Sequence, residues 1–317
     1  MATTRATPAT STETAARTPG QQTASRLLRS TAARSYDPEL EIDWSAPLLD
    51  GSWFIPEHRC SLYGTALWHG LTPAQRIELS RHEAASVAGT GIWLELILMR
   101  MLTKLAYCGD ASTARVQYAL AEVAEECRHT IMFARLIDKL GTPTYHPGLV
   151  VTALGRMLPE VASGPAMWAA ILLGEEITDR FQREMADDDR IQPVVRMVNR
   201  IHITEEARHI GFAREELSSA VARTRAAELP AQRYLIARMG YLIARNLVNP
   251  QVYRAVGLDP RTARLAALAN PRHQETIRFG GEKILAFLAE QGLVGSPGLT
   301  WWRRSFLLAA HNREQNT

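Results

Sequence analysis

The chain has 317 residues, 46% of them hydrophobic, and a formal net charge of +3, so it can bury a large core and lacks the basic excess of a nucleic-acid binder. All but three of its 36 basic residues are arginine (the lysines are Lys104, Lys139 and Lys283), and they are scattered among 33 acids; with the abundant alanine this reflects a GC-rich coding bias rather than a recognition patch. Cys60, Cys108 and Cys127 stand at unrelated spacings, which excludes a disulfide framework or a CxxC site and fits a reducing cytosol, and no run of eighteen uninterrupted apolar residues calls for a transmembrane helix.

Residues 1–36 are dominated by Thr, Ala, Ser, Pro and Arg without the apolar stretch of a secretory signal, and predict a disordered tail. From Tyr36 to Thr72 turn residues alternate with Trp44, Trp53, Tyr63 and Trp68, which predicts an irregular wrap with a short helix near Ser61 to His69. Thr72-Pro73 has the form of an N-cap followed by a first-turn proline, and apolar periodicity carries a helix on to Tyr107. Gly89 and Gly91 in its middle imply close backbone packing or room for a ligand. Further helices are predicted over 113–140, 150–158, 166–186 and 192–220, then over 231–248, 261–269, 274–291 and 300–310. No segment sustains period-two alternation and no 30–45-residue repeat recurs, so the fold class is all-α, a helical bundle with additional C-terminal helices. One domain is expected over 37–310, with a C-terminal tail at 311–317.

The chemistry concentrates in the helix around Ile201-His202-Ile203-Thr204-Glu205-Glu206-Ala207-Arg208-His209. His202, Glu206 and His209 fall at i, i+4 and i+7, on one stripe, where they can serve a single metal centre. Glu126-Cys127-Arg128-His129 repeats the ExxH of Glu206-Ala207-Arg208-His209 eighty residues earlier. The i, i+3 spacing brings a carboxylate and an imidazole to one ion from adjacent turns. A lone ExxH is weak; two, each ending Arg-His, are specific. Glu95 and Glu175 lie in strongly apolar surroundings, Trp93-Leu94-Glu95-Leu96-Ile97 and Ile171-Leu172-Leu173-Gly174-Glu175, where a charge needs a partner or a metal. Four carboxylates would balance two divalent cations, and carboxylate with imidazole suits iron or manganese. Glu205 lies at i+3 from His202 and i+4 to His209, so helical geometry alone leaves it open beside Glu206; the repeated ExxH favours Glu206, and substitution of Glu205 is expected to be nearly neutral. Glu122 reads as an acid behind the ligands, Glu125 as a surface charge and Cys127 as a small packing residue; His82, His146, His273 and His311 have no partner pattern and read as structural or surface residues.

The order Glu, ExxH, Glu, HxxxExxH resembles the ferritin-like di-iron carboxylate proteins, and His202, four residues before the last glutamate, is similar to the extra histidine of the AurF-type N-oxygenases. The resemblance covers roughly residues 73–291. It implies seven metal ligands, Glu95, Glu126, His129, Glu175, His202, Glu206 and His209, with the spacing to His202 choosing Glu175 over Glu176. The 31 residues from Glu95 to Glu126 are fewer than in the aryl amine oxidase itself, so Glu83, on the same helix, is the alternative donor. Ile277-Arg278-Phe279-Gly280-Gly281-Glu282-Lys283 resembles the family's stretch with a pocket arginine and implies that Arg278 binds a substrate carboxylate.

The implied cofactors are two iron ions (Fe2+/Fe3+), with O2 as co-substrate and an external electron donor. The implied partners are a small-molecule amine substrate and a reductase or electron carrier, in a cytoplasmic homodimer without nucleic acid or membrane. The implied activity is oxidation of an amine toward hydroxylamine, nitroso or nitro products. Another di-iron oxidase remains open: a desaturase, a hydroxylase or an oxidative-cleavage enzyme acting on a fatty or amino acid. A radical-generating ribonucleotide reductase subunit needs a tyrosine about one turn beyond the first ExxH histidine, where this chain has Phe133.

Overall fold

The computed structural model describes residues 19–309. Helices α1 (Pro19–Ala33), α2 (Pro38–Glu41) and α3 (Ala66–His69) precede the long helices α4 (Pro73–Cys108), α5 (Ala114–Lys139), α7 (Pro165–Asp187) and α8 (Pro193–Ala222), with α6 (Leu149–Val161) between α5 and α7. Behind them come α9 (Leu229–Asn246), α10 (Pro260–Ala269), α11 (Pro271–Glu290) and α12 (Leu299–Arg304). Among the described residues the extended structure amounts to one isolated bridge, Trp53 with Ile191.

Local chemistry sets the helix starts. The Thr72 side chain accepts the Gln75 N–H while Gln75 accepts the Thr72 N–H, and Pro73 occupies the first turn, where a missing N–H costs nothing. Prolines open α7, α8, α10 and α11 in the same way. Short turns fold α4 onto α5 and α7 onto α8 as antiparallel pairs, which meet through α5 with α8 and α4 with α7 to form a ferritin-like bundle.

The core is split into two apolar layers. One gathers Leu98 and Met101 of α4, Tyr118 of α5, Leu172 of α7 and Phe212 of α8. The other gathers Leu79 and Ala85 of α4, Met132 and Leu136 of α5, Met185 of α7 and Val198 of α8. On each of the four helices the candidate ligands fall between the residues of the two layers, so the polar residues form a slab across the middle of the bundle.

The expectation of a disordered tail over 1–36 is corrected over its described part. Residues 19–33 form α1, whose Ala24 and Leu27 are buried against α5 and α8, and Thr23 donates to Glu215 at 2.8 Å. Its arginines and serines face outward, which gave the segment its tail-like composition. Residues 1–18, the tail at 311–317 and His311 lie outside the described residues. The membrane expectation is also sharpened: α4 contains an 18-residue window of mean hydropathy 1.4, long and apolar enough by composition to cross a membrane. In the bundle this helix is a core element, with Glu83 and Glu95 buried along it.

Gly89 answers to close packing, because a Cβ there would stand 2.7 Å from the Tyr145 carbonyl oxygen. The wrap is fastened to α4 by Glu83, which accepts from both the amide and the hydroxyl of Ser61, itself 2.9 Å from the Tyr253 hydroxyl. Burial pushes the Glu83 carboxyl up to about 7 despite those hydrogen bonds. A raised carboxyl favours the neutral form, so its contribution to stability is complete below the unfolded value of about 4.5 and is lost as pH rises through about 7. Glu83→Gln should therefore unfold at a higher temperature than the parent at pH 8 and show little difference at pH 5; thermal denaturation at the two pH values checks it, and an equal shift at both would refute it.

Candidate metal centre

Each ExxH folds into one helical turn, which places Glu126 and His129 of α5 opposite Glu206 and His209 of α8. His129 Nδ1 lies 2.9 Å from Glu126 and 3.2 Å from Glu206, and His209 Nδ1 lies 2.8 Å from Glu126 and 3.2 Å from Glu206. His202, one turn before Glu206, points Nε2 at Glu95 (3.4 Å) and Glu206 (3.6 Å), while its Nδ1 meets the Gln182 carbonyl at 2.9 Å. Glu175 of α7 completes the ring. All seven sequence-predicted ligands come together: their donor atoms fall into sets lying within 4.8 Å of one another, and each residue is buried. Glu83 is in none of these sets and is held by Ser61, so Glu95 is the carboxylate that α4 supplies.

The histidines are braced across the seam. His129 Nε2 donates to Glu205 of the opposite helix at 2.9 Å, and His209 Nε2 donates to Glu125 of the opposite helix at 2.8 Å. The first glutamate of each Glu-Glu-x-Arg-His word thus holds the other word's histidine, and both Nδ1 atoms are turned inward toward Glu126. Arg208 donates to Glu125 at 2.7 Å and lies 3.6 Å from Glu205, with Arg128 at 3.8 and 4.0 Å from the same two acids. The Tyr36 amide donates to Glu205 at 3.0 Å, and Arg128 donates to Ser35, so the chain after α1 closes this end of the slab.

Three expectations fail here. Glu125 is buried at 1% exposure, not a surface charge, and Glu205 is a bracing residue whose loss cannot be neutral. The available signal was the repetition of four of the five positions, Glu-Glu-x-Arg-His at 125–129 and at 205–209, rather than of ExxH alone. Cys127 is exposed, its sulfur 3.5 Å from that of Met99, so it does not fill the core.

Burial would lower both bracing-linked imidazoles, but the charge of Glu126 and hydrogen bonds to three glutamates hold His129 well above its usual value, and Glu206 with Glu126 does the same for His209. Burial lowers His202 to about 4, so it is neutral. Burial and the neighbouring negative charges of Glu126 and Glu206 push Glu95 well up, and burial with Glu206 and Glu95 pushes Glu175 up. Glu126 and Glu206 feel the same burial, yet the histidines hold both below the usual carboxylate range. Two carboxylates and two imidazoliums then balance beside two neutral acids.

The donor set fits a pair of divalent cations. Glu95 Oε2, Glu206 Oε2 and both oxygens of Glu122 are buried without a hydrogen-bond partner, and such acceptors in a protein interior call for a ligand. Four carboxylates and three imidazoles match the oxygen-rich preference of iron or manganese.

A family model described as P-aminobenzoate N-oxygenase AurF matches residues 18–292. The chain belongs to the AurF family. Uncharacterized proteins of Mycobacterium tuberculosis (strain CDC 1551 / Oshkosh) and Mycobacterium bovis are 32% and 31% identical to it over 236 residues, 70% of this chain and 66% of each relative's length. Among solved structures it is distantly similar to two variants of an R2-like ligand-binding oxidase. One, with aerobically reconstituted Mn/Fe cofactor, has a TM-score of 0.42 and 13% identity over 93% of either chain. The other, with anaerobically reconstituted cofactor, has 0.44 and 13% over 89% of this chain and 95% of that one. Family membership and the buried Glu/His cluster mark this part of the AurF-family chain as a candidate di-metal carboxylate centre; the chain spans 66% of the length of the curated relatives it matches.

Arg278, expected at the substrate pocket, sits half-buried on α11 with its Nε unpartnered, and it lines neither of the two cavities that reach the cluster. Two outcomes follow for the metal centre. Glu205→Ala and Glu125→Ala should each weaken metal binding by about 10–100-fold, the usual effect of removing a histidine's outer partner; competition with a coloured chelator measures it, and unchanged affinity refutes the bracing. Filling both positions near pH 7 should expel roughly four protons, from His129, His209, Glu95 and Glu175, so affinity should climb with pH; a metal titration in weakly buffered indicator that releases none contradicts the charge assignment.

Proposed function

We propose that the protein is a di-iron N-oxygenase that uses O2 to oxidise an amine to a hydroxylamine, nitroso or nitro product. The observation that carries this reading is His202: a neutral imidazole, fixed through Nδ1 by Gln182, aims Nε2 into a cluster already supplied with two ExxH pairs and two glutamates. That third histidine is the element that distinguishes AurF-type proteins from other ferritin-like carboxylate oxidases. When bound, the two irons supply O2 reduction and oxygen transfer, with electrons from an external carrier.

The chain's own contribution is positional. Glu95, Glu126, Glu175 and Glu206, with His129, His202 and His209, would hold the metals. Glu125 and Glu205 keep a proton on each histidine Nε2. The apolar layers above and below exclude water. The space left at the cluster is a void of about 40 Å³ bordered by Glu95, Glu175, His202, Phe133 and Gly91, too small for an organic substrate; the larger cavity that meets it at Glu175 is the approach this reading gives the amine. A cytoplasmic homodimer remains part of the proposal; Leu96 of α4 and Leu120 and Ile131 of α5 are exposed apolar side chains that a second copy could cover.

Anaerobic loading with Fe(II) should give roughly two irons per chain, and the loaded protein should consume O2 faster with an amine present and yield an N-oxygenated product by mass spectrometry. Well under one iron per chain, or O2 uptake that yields only carbon-oxidised products, would overturn the reading. His202→Ala should retain most of the iron, because six donors remain, yet lose at least tenfold in amine oxidation.

A further inference from the structure

The interior beyond Glu175 is not filled. A cavity of about 330 Å³ opens between α4, α6, α7 and α9, whereas native cores keep few voids larger than a water molecule; the volume falls within the roughly 300–1,000 Å³ of small-molecule sites. It meets the void at the carboxylates along Leu94, Gly174 and Glu175, which border both. Its α9 wall extends from Tyr234 to Ile243, about 14 Å of helix at 1.5 Å per residue. The Ala166 amide donates to the Gln232 side chain, so α7 and α9 run side by side from their N-termini, with Glu175 at one end of the cavity and Tyr234 near the other.

Among the described residues only two of charged type border it, Glu175 at the cluster and Arg238, whose guanidinium stacks over Trp301. The mouth is apolar too: the α6 residues Leu154, Met157 and Val161 border the cavity while remaining 41%, 59% and 58% exposed. Exposed apolar side chains around an opening mark a binding site rather than a solvated surface. A compact aryl amine would leave part of this length and most of the volume empty, and the one cation on the wall, Arg238, is engaged over the Trp301 ring.

We propose that the cavity binds the unbranched aliphatic chain of the substrate, with the amino group at Glu175 and the chain running toward the mouth between α6 and α9. This assignment rests on the amine-oxidation reading above for its head group, and on the cavity alone for its chain. Each methylene entering the cavity should tighten binding about fourfold, the ~0.8 kcal/mol of a buried CH2 at 1.4 kcal/mol per tenfold.

Calorimetric titration of the metal-loaded protein with 1-aminoalkanes from butyl to dodecyl, and with p-aminobenzoate, tests the proposal. Affinity should rise about fourfold per carbon until the cavity is full and exceed that of p-aminobenzoate at octyl and beyond. Ala170→Phe inside the cavity, and Val151→Phe on its α6 wall should the first fail to fold, should abolish the chain-length gain with metal content unchanged. Affinity independent of chain length, p-aminobenzoate binding tighter than every alkylamine, or a gain that survives the filled cavity would each overturn the assignment. Alkylamines that bind in this pattern but give no N-oxygenated product would overturn the amine-oxidation reading and leave the chain site standing.

Discussion

Seven glutamates (Glu95, Glu122, Glu125, Glu126, Glu175, Glu205 and Glu206) lie buried in one slab between two apolar layers, and the rest of the architecture depends on making that burial tolerable. An isolated ionised carboxylate in such a place costs several kcal/mol, and removing one member of a buried pair leaves the other uncompensated. Two protonated histidines, His129 and His209, and two arginines, Arg128 and Arg208, meet that requirement, with Glu95, Glu122 and Glu175 kept neutral by burial. The long helices are needed because each must carry apolar core, donor and apolar core again in sequence. The coverings follow from the same requirement: α1 and Tyr36 over one end, the wrap pinned by Glu83 along another side.

The bundle was legible because its signals are local. Capping threonine, first-turn prolines and apolar periodicity placed α4, α5, α7 and α8 within a few residues of where they lie, and the two ExxH words named four donors. Glu95 and Glu175 were legible through the conflict between charge and surroundings. What escaped was tertiary. Glu125 and Glu205 sit one residue from ligands, where helical geometry points equally well to solvent or to a neighbouring helix, and only the crossing of α5 with α8 turns them onto the opposite histidines. Segment 19–33 escaped because two small or medium apolar residues, Ala24 and Leu27, suffice to seat a helix in a groove already formed by others. Arg278 failed to line the cavities because resemblance fixes a residue's place in sequence, while α11 packs on α7 at Gly280, where a Cβ would meet Phe181 at 2.6 Å, away from the channel beside α9.

The site and the channel divide the work between different helices. Metal donors come from the inner faces of all four bundle helices, whereas the cavity is walled by α4 and α7 together with α6 and α9, outside the bundle proper. Residues of α6 and α9 can therefore change without touching a donor, so the shape of the cavity and the make-up of the cluster are separable. Gly174 stands at the junction: its Cβ position lies 3.7 Å from Leu94, so a small side chain fits but a large one would close the passage.

The backbone amide of Tyr36 ends a short chain of contacts that begins inside the slab: His129 donates to Glu205, and Glu205 accepts from Tyr36. A surface peptide group is thus mechanically linked to the orientation of a donor imidazole. The two bonds fall on different oxygens of one carboxylate, so that side chain cannot turn to serve one partner without disturbing the other. The peptide that follows α1 is therefore part of what fixes a donor histidine, and the covering segment belongs to the site as much as the bundle helices do.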